Sequence, residues 1–278
     1  MAALSRLSPA PILADCRVEP INGLTGQSFR IRTGGGDWLA RAVSAEKTLL
    51  GADGRREYRI LRHVSSSGLA PRPALLTPRW SLVEWVAGDT PTAEQWRRVW
   101  TDGALARRLR QLHRLPRSGY PLALQARFVR YWQATDPARH NPAWLRLHRR
   151  LLHCRTPASL QMALLHMDLH AANVVQPLDG ALCFIDWEYA SDGDIALELA
   201  ALFSGNAVDE SGQAAFLAAY LGGSGGYPLA VLQRHIAAWR PWADYLMLLW
   251  HEARWRQTGC ETYLIQGMPF RRALALPG

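Results

Sequence analysis

A carboxylate, an amide and a second carboxylate stand at Asp168, Asn173 and Asp186, within the runs HMDLHAANVV and FIDWEYASDGDIALELA. Moving a phosphoryl group from a nucleotide to a hydroxyl calls for an acidic side chain beside the attacking oxygen. It also calls for hard oxygen donors to the Mg²⁺ that bridges the phosphates. Asp168 suits the first task. Asn173 and Asp186 suit the second, because Mg²⁺ takes one or two carboxylates and completes its shell with phosphate and water. An HxD triplet alone is more often a turn held by its own side chains. The added IDWE after an apolar run, 18 positions beyond Asp168, shifts the reading towards chemistry.

Three short extended segments must position these groups. MALLHM precedes Asp168, NVV follows Asn173, and ALCFID leads into Asp186, each bounded by Asp, Gly or Pro. Pro177, Asp179 and Gly180 mark a turn between the last two segments, so a hairpin returns Asp186 to Asn173. Asp194, just before the apolar run IALELA, is placed as a helix N-cap. Glu188, two residues past Asp186, reads by position as a solvated strand end.

Together these runs resemble the signature of the aminoglycoside phosphotransferase and choline kinase superfamily, small-molecule relatives of the protein kinases. The resemblance implies an α+β, bilobal, protein-kinase-like fold, with a small antiparallel-sheet N-terminal lobe and a mainly helical C-terminal lobe. It implies ATP as donor, Mg²⁺ on Asn173 and Asp186, and Asp168 orienting the acceptor hydroxyl. It also gives Asp194 a second task, bracing the catalytic loop, and implies an acidic residue near the metal at Glu188. His166 takes a structural role in the same loop.

The N-terminal third alternates like a small sheet. INGLTGQSFRIRT and DWLARAV are separated by Gly34, Gly35 and Gly36, which predicts a hairpin. In the loop Asn22 to Ser28, Gly23, Gly26 and Ser28 would let backbone amides approach phosphate oxygens. Kinases usually place a lysine on the following strand, whereas this chain offers Arg41, and Lys47 is too far along to share that position. Arginine keeps the charge but is longer, planar and forked. The segment GRREYRILRHV, Gly54 to Val64, reads as a short helix with Tyr58, Leu61 and Val64 on one face and Glu57 as ion-pair partner of Arg41. SLVEWVAG resembles the interlobe linker, with backbone groups from Glu84 to Val86 gripping adenine. The predicted division is therefore residues 1–86 for the nucleotide lobe and 87–278 for the catalytic and substrate lobe.

Beyond it the pattern turns helical. Thr92 and Gln95 form a capping box, and Leu105, Leu109 and Leu112 repeat at helical spacing. Two further helices break at Asp136, Pro137 and at Asn141, Pro142, and GGSGGYP at 222–228 makes a loop. The C-terminal region is crowded with aromatic residues. On a helix beginning near Pro241, Trp242, Tyr245, Leu249 and Glu252 share a stripe that is mostly core by default. A buried Glu252 needs a positive partner, either Arg256 or a cationic ligand. Rings with a carboxylate suit an organic cation, so Trp242, Tyr245, Glu252 and Glu188 are the substrate candidates.

Here the resemblance narrows. YWQATDPARHNPAWLR, LLHMDLHAANVV, IDWEYASDGDIALELA and EARWRQTG together resemble the bacterial thiamine kinase branch, which implies that ATP phosphorylates the hydroxyl of thiamine. Choline, ethanolamine or an aminoglycoside are the alternative acceptors. A nucleotide-binding protein without catalysis is the alternative class.

Composition bounds the rest. The chain has 278 residues, 49% hydrophobic and 20% charged, which suits one large globular unit. No apolar run reaches the ~18 residues a membrane helix needs. The start lacks a basic region followed by a true apolar stretch, so a secretory signal is not expected and the cytoplasm follows by default. Cys16, Cys154, Cys183 and Cys260 show no zinc or disulfide spacing. The net charge of +9 rests on arginines spread along the chain, with Lys47 the one lysine. Without a recognisable binding motif, a nucleic-acid partner is not expected.

Overall fold

The computed structural model describes residues 16–21, 28–43, 50–177, 180–222 and 226–277. Gly23, Gly26 and Lys47 lie outside them, so the expected phosphate loop is represented only by Ser28. The first layer is an antiparallel sheet of β1 (Arg17–Ile21), β2 (Ser28–Thr33), β3 (Gly36–Ala42), β4 (Pro73–Leu76) and β5 (Trp80–Glu84), in the order β1-β2-β3-β5-β4. The glycine turn joins β2 to β3, and the register sets Ser28 opposite Arg41. β1 was not anticipated, since its sequence RVEPI carries a proline and does not alternate cleanly. The sheet has a small core of its own in Ile31, Ala40 and Leu82.

Helix α1 (Gly54–Val64) is capped by Asp53, whose side chain accepts from the amides of Arg55 and Arg56. Its buried stripe runs through Glu57, Ile60, Leu61 and Val64, so Leu61 and Val64 lie where predicted and Tyr58 is replaced by Glu57 and Ile60. A glutamate sits in that stripe because Arg41 meets it there. Leu61 and Val64 belong to one continuous core that extends through Leu69 and Val83 into the helical part.

After β5 the chain crosses to the second layer. β6 (Gly88–Asp89) pairs with β8 (Val174–Pro177), which pairs in turn with β9 (Cys183–Phe184). Gly88 has φ +151°, and a Cβ there would lie 2.4 Å from the carbonyl oxygen of Gln176. Only glycine allows so close a crossing. A second tie runs behind the sheet, where Arg108 donates from Nε to Leu182 O at 2.7 Å and from its fork to Gly68 O. The Phe184 amide also donates to Leu69 O at 2.8 Å.

The helical part contains α2 (Ala93–Thr101), α3 (Ala104–His113), α4 (Leu124–Ala134), α5 (Pro142–His153), α6 (Ile195–Gly205), α7 (Glu210–Leu221), α8 (Leu229–Thr258) and α9 (Thr262–Ala273). The capping box at Thr92 and Gln95 is present, and Leu105, Leu109 and Leu112 are fully buried. Asn141 caps α5 through the Trp144 amide, where the proline break was expected. α6 is buried along its length and packs on α8 and on β7 (Met162–Leu165), which pairs with β10 (Ser191–Asp194).

One boundary differs from expectation. The helix predicted to begin near Pro241 begins at Leu229 and carries Pro241 in its interior. A proline there removes one backbone bond at about 3 kcal/mol. Burial of Leu232, Ile236, Trp239 and Trp242 around it offsets that cost. None of the four cysteines is joined in a disulfide. Among the described residues no helix is long and apolar enough to cross a membrane.

Candidate active site

The β8–β9 hairpin does what its sequence demands. The Ile185 amide donates to Asn173 O at 2.9 Å, which brings Asp186 beside Asn173. The Asn173 side-chain amide donates to Asp168 twice, to its carbonyl at 2.8 Å and to its Oδ2 at 2.9 Å. Both amide hydrogens are thereby committed, and the carbonyl oxygen of Asn173 is the atom presented elsewhere. Asp168, Asn173 and Asp186 thus form one cluster.

Two of its backbone positions are strained. Met167 and Asp186 adopt φ +66° and +62° without being glycine. Such conformations persist where surrounding bonds over-determine them, and they gather at functional sites. Glu198 supplies those bonds at Met167. Its Oε1 accepts the amides of His166 and Met167, each at 2.7 Å, and its Oε2 accepts from His113 Nε2 at 2.6 Å. His113 Nδ1 continues to the Tyr220 hydroxyl at 2.6 Å.

Glu198 therefore braces the loop that carries Asp168, the task expected of Asp194. Asp194 instead caps α6 through the Ala196 amide and accepts from Ser159 Oγ at 2.6 Å and the Leu160 amide, upstream of β7. Its N-cap role is as expected, and the correction concerns the brace alone. Sequence missed Glu198 because it lies inside an apolar helix that looks like pure core. A lone glutamate inside so apolar a run, costly to bury without partners, was the available signal.

His166 is structural, as expected. Since a carbonyl only accepts, Nε2–H donates to Ile185 O at 2.9 Å. Burial pushes the imidazole down to about 4. It is therefore neutral at pH 7.

Arg41 joins the layers. One arm of its fork meets Glu57 and the other donates to Asp186 Oδ1 at 2.6 Å. Burial alone would lower its pKa, but Glu57, Asp186 and Glu188 outweigh that and raise it. The expected pair with Glu57 is present, and the arm on Asp186 was not foreseen. At the linker, the Glu84 amide donates to Arg72 O at 2.8 Å and the Trp85 amide to Asp37 O at 2.9 Å. Two of the amides between Glu84 and Val86 are thus committed to the sheet.

Glu188 is buried, and its carbonyl accepts from Arg56 at 2.9 Å. The other three substrate candidates lie elsewhere, in the core, which corrects their assignment. Trp242 stacks on Phe128 with centroids 5.9 Å apart, and the Tyr245 hydroxyl bonds His148 Nδ1 at 2.7 Å. Glu252 is closed off by Arg139, at 2.6 and 3.0 Å, and by Arg271 at 3.0 Å. Arg256, its expected partner, donates to Thr135 O instead. Closer in sequence to Asp186, the Tyr189 hydroxyl accepts from Trp250 Nε1 at 2.9 Å, and Tyr131 is fully buried on α4.

Among the described residues no group of three or more His, Cys, Asp and Glu is placed to hold a metal. The described residues therefore offer no cage made of protein ligands alone. The asparagine carbonyl oxygen of Asn173 and the carboxylate of Asp186 fit Mg²⁺, which accepts so few protein ligands when phosphates complete its shell.

The model of the Phosphotransferase enzyme family matches residues 17–245. The chain belongs to that family. It is 38% identical over 243 residues to the thiamine kinase of Escherichia coli O1:K1 / APEC, covering 87% of this chain and 84% of that one. The thiamine kinase of Shigella dysenteriae serotype 1 is 37% identical over the same shares. The choline kinase LicA from Streptococcus pneumoniae superposes with a TM-score of 0.77 at 18% identity, covering 95% of each chain. That likeness carries the protein-kinase-like fold.

Proposed function

We propose that this phosphotransferase moves the γ-phosphoryl group of ATP to the hydroxyl of thiamine, giving thiamine monophosphate and ADP. The observation that carries the phosphotransfer reading is the hydrogen-bonded convergence of Asp168, Asn173 and Asp186. The acceptor is supported by the extent of the similarity to thiamine kinases, which runs through both layers.

The residues act mainly by positioning and by charge. Asp168 accepts a hydrogen bond from the hydroxyethyl group and takes its proton as the oxygen attacks phosphorus in line with the departing ADP oxygen. Asn173 holds Asp168 in place for that contact, and Arg41 and Ser28 face the donor phosphates. Mg²⁺ held by Asn173 and Asp186 would neutralise charge on the β and γ phosphates. Backbone groups at Glu84 to Val86 hold adenine. Because the transition state is loose, orientation and electrostatics supply most of the acceleration.

The test offers ATP and Mg²⁺ with thiamine, choline, ethanolamine and kanamycin in parallel, beside an Asp186→Asn control. Thiamine phosphorylation well above the others, absent in the control, is the expected result. Preferential turnover of another acceptor would move the acceptor while keeping the chemistry.

A further inference from the structure

The helical part buries three arginines, Arg127, Arg254 and Arg271. Arg271 meets Glu252, and Arg254 meets Gln257 at 3.0 Å and the Tyr263 hydroxyl. Arg127 differs. Though only 7% exposed, its guanidinium makes no hydrogen bond or ion pair with any of the described residues. Its visible contact is the ring of Tyr189, 5.9 Å from the centroid.

An unpaired guanidinium taken out of water is costly, and a ring face at that distance offsets little of the cost. Its nitrogens are also absent from the buried side-chain atoms sealed from solvent without a partner, among which Arg56, Arg254 and Arg271 each place Nε. Part of the fork therefore keeps contact with solvent. The arrangement is one in which an anion arrives from outside.

The surroundings indicate which anion. Tyr189 follows Glu188 directly and lies three residues after Asp186 in one turn. Tyr131, one helical turn after Arg127, is pushed up to about 12 by burial, with Asp168 and Glu188 raising it and Arg127 and Arg130 drawing it back. The phenol therefore feels both the arginines of α4 and the carboxylates around Asp186. Thiamine is itself a cation, so it does not suit Arg127. The anion that this reaction brings to the acceptor side is the phosphoryl group in transit.

We propose that Arg127 is a catalytic residue that binds the transferring phosphoryl group from the acceptor side, opposite the hold that Arg41 has on the donor side. Its forked donors suit equatorial phosphoryl oxygens, whose charge must be met as the bond to ADP breaks and the bond to the acceptor oxygen forms. The inference rests on the phosphotransfer reading above, and not on thiamine as acceptor.

The test uses the full chain with saturating MgADP and inorganic phosphate as the probe, followed by thermal unfolding, in wild type, Arg127→Met and Arg127→Lys. Phosphate should raise the wild-type melting temperature saturably, and Arg127→Met should weaken that apparent affinity by 10-fold or more, about the size of one charge-assisted bond. Arg127→Lys should fall between. In turnover, Arg127→Met should lose about 10² in kcat, the scale of removing one donor aimed at developing charge, with KM for ATP little changed. Circular dichroism establishes that both variants fold, and Arg127→Lys carries the test should Arg127→Met not. Unchanged phosphate affinity in a folded variant overturns the proposal. So does a loss confined to stability. If wild type binds phosphate through Arg127 yet leaves thiamine untouched, the acceptor assignment fails and Arg127 stands.

Discussion

Glu198 accepts the amide of Met167 at 2.7 Å and so holds the residue before Asp168 in a left-handed conformation. The same oxygen takes the His166 amide, so one buried carboxylate fixes two consecutive peptide units of the catalytic loop. Replacing Glu198 by Ala leaves both amides and His113 without their acceptor. The expected cost is about 3 kcal/mol or more in urea unfolding, from several buried donors left unmade. Glu198→Gln keeps the shape but forms neutral bonds. Its kcat should fall while KM for ATP stays close to wild type, and a variant with wild-type turnover would remove Glu198 from the bracing role.

The layers and the central cluster were legible because they depend on local chemistry. Turn residues at Pro177 and Gly180 fixed the hairpin, and period-two alternation in DWLARAV fixed the strand that carries Arg41. What escaped depends on distant partners. Glu252 looked available to a cation because nothing nearby in sequence announces Arg139, 113 residues away. The rings failed for a different reason. Helix α8 packs on α6, α4 and α9, so several of its faces are apolar and periodicity cannot choose which ring meets the catalytic turn. Tyr189 and Trp250 were separated from Trp242 and Tyr245 only by tertiary packing.

Arg41 spans two carboxylates with one planar fork, which a lysine cannot reproduce. Arg41→Met should destabilise the fold by about 3 kcal/mol, because Glu57 is left buried without its charge partner. Adding Glu57→Gln should recover much of that loss. A double-mutant cycle by urea denaturation measures the coupling, expected at about 1–3 kcal/mol. Simple additivity would mean that the pair contributes nothing.

In the proposed mechanism Asp168 meets the reacting hydroxyl, not the nucleotide. Asp168→Ala should therefore lower kcat by ~10² or more with ATP affinity largely intact. Parallel nucleotide titration and single-turnover assays separate the two. Full turnover in the variant would exclude Asp168 from proton transfer.

Gly88 tests the crossing between the layers. A methyl group at this position would meet Gln176 O at 2.4 Å, on a backbone with φ +151°. Gly88→Ala should cost about 1–3 kcal/mol from strain alone. The β6–β8 pairing would loosen, so nucleotide affinity should weaken together with the melting temperature. A melting temperature equal to wild type would show that the crossing relaxes freely.

Three histidines contribute to acid sensitivity. Burial lowers His148, His166 and His251 to about 4, so each stays neutral in the folded protein while the unfolded chain takes up a proton near the ordinary histidine value of 6.5. The unfolded state then binds more protons between those values, and stability rises with pH across that window. Folding free energy should be flat with respect to these groups above pH 7 and fall as pH drops from 6.5 towards 4. Each group contributes a limiting slope of about 1.4 kcal/mol per pH unit. His251 stacks on Phe270 at 18°, so His251→Phe keeps the packing and removes the titration. Urea unfolding of wild type and His251→Phe at pH 7.5, 6.0 and 5.0 should give curves that separate on acidification, with the variant losing less. Parallel curves would mean that His251 is protonated equally in both states.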